Sequence, residues 1–140
     1  MLVLDANILI RAVLGSRVLS LLRKYAEQVQ FLAPDTAFQE AREHLPNILE
    51  RRGIPIGPAI ASLESLGDLV QTIEFETYAP FEGLARQRIA SRDEDDWPIL
   101  AAALALKCPI WTEDTDFFGC GVATWTTDRV EPYLADNLQQ

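Results

Sequence analysis

The chain has 140 residues and a formal net charge of −9, because 21 acidic side chains outnumber 12 basic ones. A chain of this length is typical of one domain with a single hydrophobic core. Apolar residues make up 49% of the sequence and charged residues 24%, a mixture that excludes extensive disorder. No apolar run reaches the roughly 18 residues that cross a membrane, and the excess of acid argues against broad electrostatic attraction to nucleic acid.

The sequence supports neither a signal peptide nor a cysteine-based structural site. The N-terminal segment MLVLDANILI has neither the basic lead nor the small-residue cleavage site of a signal peptide, so we expect a cytoplasmic protein. Cys108 and Cys120 have only His44 as an imidazole partner, which gives poor support to a disulfide framework or a zinc site. We expect Cys108 to be a small buried residue.

Short apolar runs alternate with longer periodic ones in the first half of the chain. Residues 2–4 and 29–33 predict buried strands, and helical spacing follows each of them. Ser16 is placed to cap a second helix, and Thr36 and Gln39 are placed to form a capping box at the start of a third. The glycines and prolines of residues 53–58 predict a loop, after which we expect a helix over residues 59–66 and a strand over residues 69–73.

The second half of the chain continues this alternation. We expect a helix over about residues 81–90, a buried helix rich in Ala and Leu over residues 97–106, and short strands over residues 109–112 and 122–126. Strands that alternate with helices predict an α/β fold, in which helices flank a central parallel sheet of four to five short strands.

The negative charge is concentrated in one part of the sequence. Seven of the 21 acids lie within residues 93–116, in the motifs RDEDD and TEDTD, and the uncharged stretch WPILAAALAL separates the two motifs. Functional groups of open parallel sheets gather where the strands end at their carboxyl side. The acids beside predicted strand ends are therefore the candidates for chemistry.

Acids from four separate segments occupy such positions. Asp5 ends the first strand, and Glu40 lies early in the helix that follows the second. Asp96 opens the helix rich in Ala and Leu, and Asp114 and Asp116 follow the next strand. If these strands are neighbours, the acids converge at one edge of the sheet.

Converging carboxylates repel one another. Two unit charges about 4 Å apart at an effective dielectric constant of about 20 repel by about 4 kcal/mol. Either some of these acids are protonated or a cation lies among them. Oxygen ligands without Cys or His nearby suit Mg²⁺ or Mn²⁺, and an ion held in this way can promote phosphodiester cleavage.

Each acid also has a purely structural interpretation. Asp5, followed by Asn7, could cap the first helix, and Asp96 could interact with the dipole of the helix that it opens. Asp114 and Asp116 could be acids of a turn.

Two of the assignments are ambiguous in the sequence. Glu43 is a rival to Glu40, and either could be a solvated surface acid. Asp95 directly precedes Asp96, so this position is uncertain by one residue.

Other catalytic and binding motifs fit less well. No GxGxxG or GxxxxGK(S/T) segment occurs, so a nucleotide-phosphate loop is unsupported. The segment DEDDWP lacks the glycine of a calcium-binding EF-hand loop. Catalysis by Ser, His and Asp would have to use His44, for which a solvent-facing helical position is the better interpretation.

Together these residues resemble the PIN domain family, which includes the VapC-type ribonuclease toxins of bacterial toxin-antitoxin pairs. The resemblance covers residues 2 to about 127 and rests on Asp5 with Asn7, on Glu40, on Asp96 and on the motif TEDTDF. Its most specific part is the segment DWPILAAALALKCPIWTEDTDFFG. The resemblance implies a single three-layer PIN-like domain.

The same resemblance implies a function and a site. Asp5, Glu40, Asp96 and Asp114 would form an acidic metal site, with Asp116 as an accessory acid. The polar groups that orient them would be those of Asn7 and Thr112. The implied activity is that of an endoribonuclease that hydrolyses RNA with Mg²⁺ or Mn²⁺ as its cofactor, and the further implied partners are an antitoxin protein and a second copy of the chain.

Capture of RNA by such an acidic chain requires local basic groups. The candidates are the arginines near the acidic segments, namely Arg11, Arg17, Arg86, Arg88 and Arg92. Apolar residues of the helix at residues 19–25 are candidates for a homodimer interface. Two alternatives stay open: a flap-type DNA nuclease, and a catalytically silent PIN-like module that binds a structural ion or a basic protein segment.

Overall fold

A parallel sheet of five short strands forms the centre of the computed structural model, which describes residues 1–89 and 93–136. The strands are β1 (Leu2–Leu4), β2 (Phe31–Pro34), β3 (Val70–Ile73), β4 (Ile110–Trp111) and β5 (Thr124–Trp125). Their order in the sheet is β3-β2-β1-β4-β5, and every neighbouring pair is parallel. The predicted α/β fold with a parallel sheet flanked by helices is confirmed.

Eight helices accompany the sheet in the part of the chain that the structure describes. They are α1 (Ala6–Leu14), α2 (Arg17–Lys24), α3 (Asp35–Arg52), α4 (Ile56–Ser65), α5 (Phe75–Tyr78), α6 (Glu82–Ile89), α7 (Trp97–Leu106) and α8 (Val130–Asp136). None of them is long and apolar enough to cross a membrane.

The central strands determine where the candidate acids lie. All residues of β1, β2 and β4 are buried, as expected for strands covered on both faces. Leu4 pairs with Trp111, so Asp5 and Thr112 leave adjacent strands at the same level. The N–H of Asp5 donates to the carbonyl of Trp111 at 3.4 Å, which extends the pairing to the edge of the sheet.

The helix predicted from the uncharged stretch is α7, with the predicted bounds. Residues 98–103 are all buried because α7 lies against the sheet and α6. The helix ends at Lys107, which adopts a left-handed conformation with φ of 54°. A fixed, buried α7 holds Asp96 at its N-terminal end.

Two local predictions at helix starts were wrong. The capping box of Thr36 and Gln39 does not form, because α3 begins earlier, at Asp35 after Pro34, and the N–H of Thr36 is accepted by Asp35 Oδ1 at 2.8 Å. The predicted loop at residues 53–58 is shorter, because α4 begins at Ile56 rather than at Ala59. Proline is well suited to a position just before or at the start of a helix, which explains the extension.

Two helices, α5 and α8, were not predicted. In α8, Glu131 accepts hydrogen bonds from Lys24 Nζ at 2.9 Å and Tyr25 Oη at 2.8 Å, and Tyr133 Oη donates to the carbonyl of Met1 at 3.1 Å. These contacts fasten the C-terminal helix to α2 and to the start of the chain.

The proposed dimer surface on α2 is largely unavailable. Leu21, Leu22 and Tyr25 are buried in the core of the chain, and Leu19 is partly buried. The prediction that this helix offers an apolar interface is therefore wrong. Cys108 is buried, as predicted, and Cys120 is buried too; neither forms a disulfide.

Candidate metal centre

A cleft of about 200 Å³ opens at the carboxyl edge of the sheet. Its lining comes from the segments that carry the predicted acids and consists of Asp5, Ala6, Asn7, Glu40, His44, Asp93, Asp96, Ile99 and Asp114. We call this feature the acidic cleft. The structure thus brings the four predicted acids together, since β1, β2 and β4 are adjacent in the sheet.

Asp5 is held through both of its carboxylate oxygens. Oδ1 accepts the N–H of Ile8 at 3.0 Å and caps α1, and Oδ2 accepts a hydrogen bond from the hydroxyl of Thr112. Burial raises the pKa of Asp5 to about 6, and the charges of Asp114 and Glu40 add to this effect. Asp5 is therefore a structural cap as well as an acid of the cleft.

Thr112 connects the two strands that carry Asp5 and Asp114. Its side chain is fully buried, and its Oγ1 also accepts the N–H of Asp114 at 2.9 Å. One oxygen of Asp114 in turn accepts the N–H of Asp116 at 2.9 Å. This chain of hydrogen bonds fixes the three acids relative to one another.

Asp96 contributes the least satisfied carboxylate of the cleft. Its Oδ2 is buried and has no hydrogen-bond partner among the residues that the structure describes. Burial raises its pKa to about 7, and the charges of Asp93, Asp114, Glu40 and Asp5 add to the shift. Since an unsatisfied buried acceptor costs about 1–3 kcal/mol, and more when charged, a proton on this oxygen or a cation beside it would stabilise the folded chain.

A cation fits the arrangement of these oxygens. Asp96, Asp114 and Asp116 each offer a carboxylate oxygen, and the three oxygens lie within 4.8 Å of one another. Asp5 and Glu40 border the same cleft and act on Asp96 through their charge. A set of carboxylate oxygens around an unsatisfied acceptor suits a hard divalent ion such as Mg²⁺ or Mn²⁺.

The structure separates the two pairs of rival acids. Glu40 borders the acidic cleft, whereas Glu43 is exposed outside it and accepts a hydrogen bond from Gln39 at 3.3 Å. Asp96 borders the cleft, whereas Asp95 is exposed and outside its lining.

Two further residues of the cleft were missed by reasoning from sequence. His44 lies one turn after Glu40 on α3, so the i, i+4 spacing was the available signal. Asp93 begins the short 3₁₀ turn before α7, and its side chain accepts the N–H of Asp95 at 3.1 Å. This turn aims Asp93 and Asp96 at the same space.

Two of the predicted RNA-binding arginines are engaged within the fold. Arg86 forms ion pairs with Glu82 and Glu94, both at 2.9 Å, and lies over the ring of Trp97. Arg88 donates to the carbonyl of Cys120 at 3.3 Å. These contacts compete with any role in binding RNA.

The other three arginines have different surroundings. Arg92 lies outside the described residues. Arg11 and Arg17 are exposed and line a second cleft, of about 430 Å³, together with Arg52.

The sequence model of the PIN domain family matches residues 3–135 of the chain. The chain belongs to the PIN domain family, a family of nucleases. No curated protein matches it.

Solved structures share the fold. VapBC2 from Rickettsia felis, bound to a DNA fragment of its promoter, matches with a TM-score of 0.69 and 13% identity, over 89% of this chain and 97% of that one. FitAB bound to the IR36 DNA fragment matches with a TM-score of 0.59 and 24% identity, over 91% and 95% of the two chains.

Proposed function

We propose that the chain is an endoribonuclease that requires Mg²⁺ or Mn²⁺ and acts as the toxin of a toxin-antitoxin pair. The observation that carries the proposal is the buried, unsatisfied Oδ2 of Asp96 beside the carboxylates of Asp114 and Asp116. Membership of the PIN domain family supports nuclease chemistry at this position.

The side chains of the cleft have distinct tasks in this proposal. Asp96 and Asp114 hold the cation, with Asp116 beside them, and Asp5 and Glu40 complete the negative lining. A divalent ion in this position supplies charge for activating water and for stabilising the leaving oxygen of a phosphodiester.

The remaining polar residues orient the acids. Thr112 holds Asp5 and the backbone of Asp114, and Asn7 borders the cleft with an amide that can donate to a phosphate oxygen. His44, on the same side as Glu40, supplies a further donor. The carboxylates repel a phosphate when no cation is present, so a bound cation would favour entry of the scissile phosphate into the acidic cleft.

An antitoxin is the expected protein partner. The two structural neighbours are complexes named VapBC2 and FitAB, each bound to DNA. An arginine or lysine of the partner could occupy the acidic cleft in place of the cation, since it would neutralise the same carboxylates.

The test is cleavage of a labelled single-stranded RNA by the purified full chain in EDTA, Mg²⁺ or Mn²⁺. We expect cleavage only with a divalent ion, and a loss of about 10- to 100-fold in Asp5→Asn and Asp96→Asn. Asp68→Asn is the matched control, because Asp68 is an exposed acid outside the cleft. Cleavage that persists in EDTA or in both cleft variants would contradict the proposal, and cleavage of DNA alone would contradict the choice of RNA.

A further inference from the structure

Three arginines from three different helices meet in the second cleft. Arg11 comes from α1, Arg17 from α2 and Arg52 from the last turn of α3. The remaining lining is Leu14, Gly15, Ser16, Val18 and Thr127. We call this feature the arginine cleft. It gathers positive charge in a chain whose net charge is −9.

The charge of the arginine cleft is poorly neutralised by the chain. Neither Arg11 nor Arg52 forms an ion pair with a carboxylate of the described residues. Arg17 lies 3.8 Å from Asp128, but both side chains are largely exposed, with 62% and 91% of their surfaces accessible. Exposed pairs of this kind contribute little. Arg11 and Arg52 are therefore available to an anion, as are the donors of Arg17 other than Nη2, which donates to the carbonyl of Thr127.

Hydrogen bonds connect the arginine cleft to the acidic cleft. Arg17 Nη2 donates to the carbonyl of Thr127 at 3.4 Å, and the N–H of Thr127 donates to Glu113 at 2.6 Å. Glu113 is the residue between Thr112, whose hydroxyl donates to Asp5, and Asp114, which lines the acidic cleft.

Helices α1 and α3 each border both clefts. Asn7 and Arg11 are four residues apart on α1, about 6 Å along its axis. His44 and Arg52 are eight residues apart on α3, about 12 Å along its axis. These separations are short enough for one extended nucleic-acid strand to span.

Arginine is the side chain best suited to phosphate. Its planar guanidinium presents a fork of donors that matches phosphate oxygens and stays charged at all physiological pH values. We propose that Arg11, Arg17 and Arg52 bind a backbone phosphate of the RNA strand outside the acidic cleft, and that this contact offsets the repulsion between the strand and the net negative chain. This role rests on the proposed ribonuclease function and extends it to the position of the substrate.

The test measures binding without cleavage. The full chain is titrated into a fluorescein-labelled single-stranded RNA in EDTA, and anisotropy is recorded at several salt concentrations. Arg52→Gln is compared with Arg51→Gln, because both arginines are exposed in the last turn of α3 and only Arg52 lines the arginine cleft. Both variants lose one positive charge near the same helix end, so any effect of that loss on stability is shared and does not affect the comparison of their RNA affinities. Thermal unfolding of both variants checks that their stabilities are equal.

We expect Arg52→Gln to weaken RNA binding about tenfold, the effect of losing about 1.4 kcal/mol, and to reduce the salt slope by about 0.7. Arg51→Gln should bind within about twofold of the unchanged chain. Equal affinities of the two variants would overturn the arginine cleft as a phosphate site. Inorganic phosphate that binds in an Arg52-dependent manner without any RNA binding would overturn the assignment to a nucleic-acid strand.

Failure of this inference is distinguishable from failure of the proposed function. A chain that cleaves RNA with Mn²⁺ but binds equally well in both arginine variants keeps the nuclease and loses the subsite. A chain that never cleaves but binds RNA through Arg52 keeps the subsite and loses the nuclease.

Discussion

The hydroxyl of Thr112 donates to the carboxylate of Asp5, and the two residues are 107 positions apart in the chain. They directly follow β4 and β1, two strands that pair in parallel at the centre of the sheet. The same Thr112 oxygen accepts the N–H of Asp114. One buried hydroxyl therefore sets the relative position of two carboxylates that come from distant parts of the sequence.

Replacement of Thr112 by valine should lower stability and activity together. Thr112→Val keeps the shape of the side chain but leaves Asp5 Oδ2 and the N–H of Asp114 without this partner, at about 1–3 kcal/mol for each group. Thr112→Ser keeps the hydroxyl and should cost about 1 kcal/mol for the lost methyl group. Urea unfolding and RNA cleavage are the measurements. Equal unfolding midpoints in the two variants would show that the Thr112 hydroxyl does not contribute to stability.

The two roles of Asp5 should separate in two variants. Asp5→Asn keeps an N-cap of nearly equal strength, whereas Asp5→Ala loses the cap of α1 and about 1 kcal/mol. We expect both variants to be inactive, but only the alanine variant to be clearly destabilised. Denaturant unfolding measures the difference, and a similar loss of stability in both would mean that the cap contributes little.

The rival acids of α3 form a matched pair. Glu40→Gln should reduce cleavage strongly because Glu40 borders the acidic cleft, and Glu43→Gln should leave cleavage within about twofold because Glu43 lies outside it. Both changes remove one charge from the exposed surface of the same helix. The measurement is the initial rate of RNA cleavage by each variant at saturating Mn²⁺. A larger loss in Glu43→Gln than in Glu40→Gln would assign the site to Glu43.

Mn²⁺ should stabilise the chain through the acidic cleft. A ligand that binds only the folded state at 100 times its Kd adds about 2.7 kcal/mol to the free energy of unfolding. We expect the Tm of the unchanged chain to rise with Mn²⁺ and the Tm of Asp114→Asn to respond weakly. Asp68→Asn, which removes an exposed acid outside the cleft's lining, should respond like the unchanged chain. A uniform rise in all three would indicate binding elsewhere.

Without metal, stability should fall as the pH rises from about 4 to about 7. The folded chain has a pKa of about 6 at Asp5 and about 7 at Asp96, compared with 3.8 for an unperturbed Asp. The folded state therefore holds protons that the unfolded state releases, so the stabilisation is complete below about pH 4 and is lost above pH 7. Asp96→Asn should show a shallower slope of the free energy of unfolding against pH in EDTA. An unchanged slope would contradict the raised pKa of Asp96.

With Mn²⁺ present, the trend should reverse. Carboxylates bind the ion in their deprotonated form, so the affinity for Mn²⁺ increases with pH. The rise in Tm caused by a fixed Mn²⁺ concentration should therefore be larger at pH 7.5 than at pH 5.5, two values that bracket the raised pKa values of about 6 and about 7.

The sheet and α7 could be predicted because their sequences are unambiguous. Continuous apolar runs indicated the buried strands, and α7 is apolar on nearly every side. By contrast, α5 has only four residues, which is too few to show helical periodicity. Its position depends instead on tertiary contacts, including the hydrogen bond from Tyr78 Oη to Asp35 at 2.5 Å.

The candidate site was predictable in outline but not in its details. Strand ends located Asp5 and Asp114 because parallel strands place their carboxyl ends at one edge. A helical wheel gives only the angles of the side chains around α3, so it could not choose between Glu40 and Glu43. Which of the two borders the acidic cleft depends on where β1 and α7 lie relative to α3. The ion pair of Arg86 with Glu82 was visible as an i, i+4 spacing, but that with Glu94 depends on how α6 packs against the turn before α7.

The hydrogen bond from Tyr133 to the carbonyl of Met1 brings α8 to the start of β1. Met1 precedes the amino end of β1, whereas Asp5 and the acidic cleft lie at its carboxyl end. The first residue and its contact with Tyr133 thus lie on the side of the sheet that faces away from the acids. A chain immobilised on a bead or sensor surface through its amino end would present the acidic cleft outward, so binding of RNA, Mn²⁺ and a protein partner can be compared on one oriented sample.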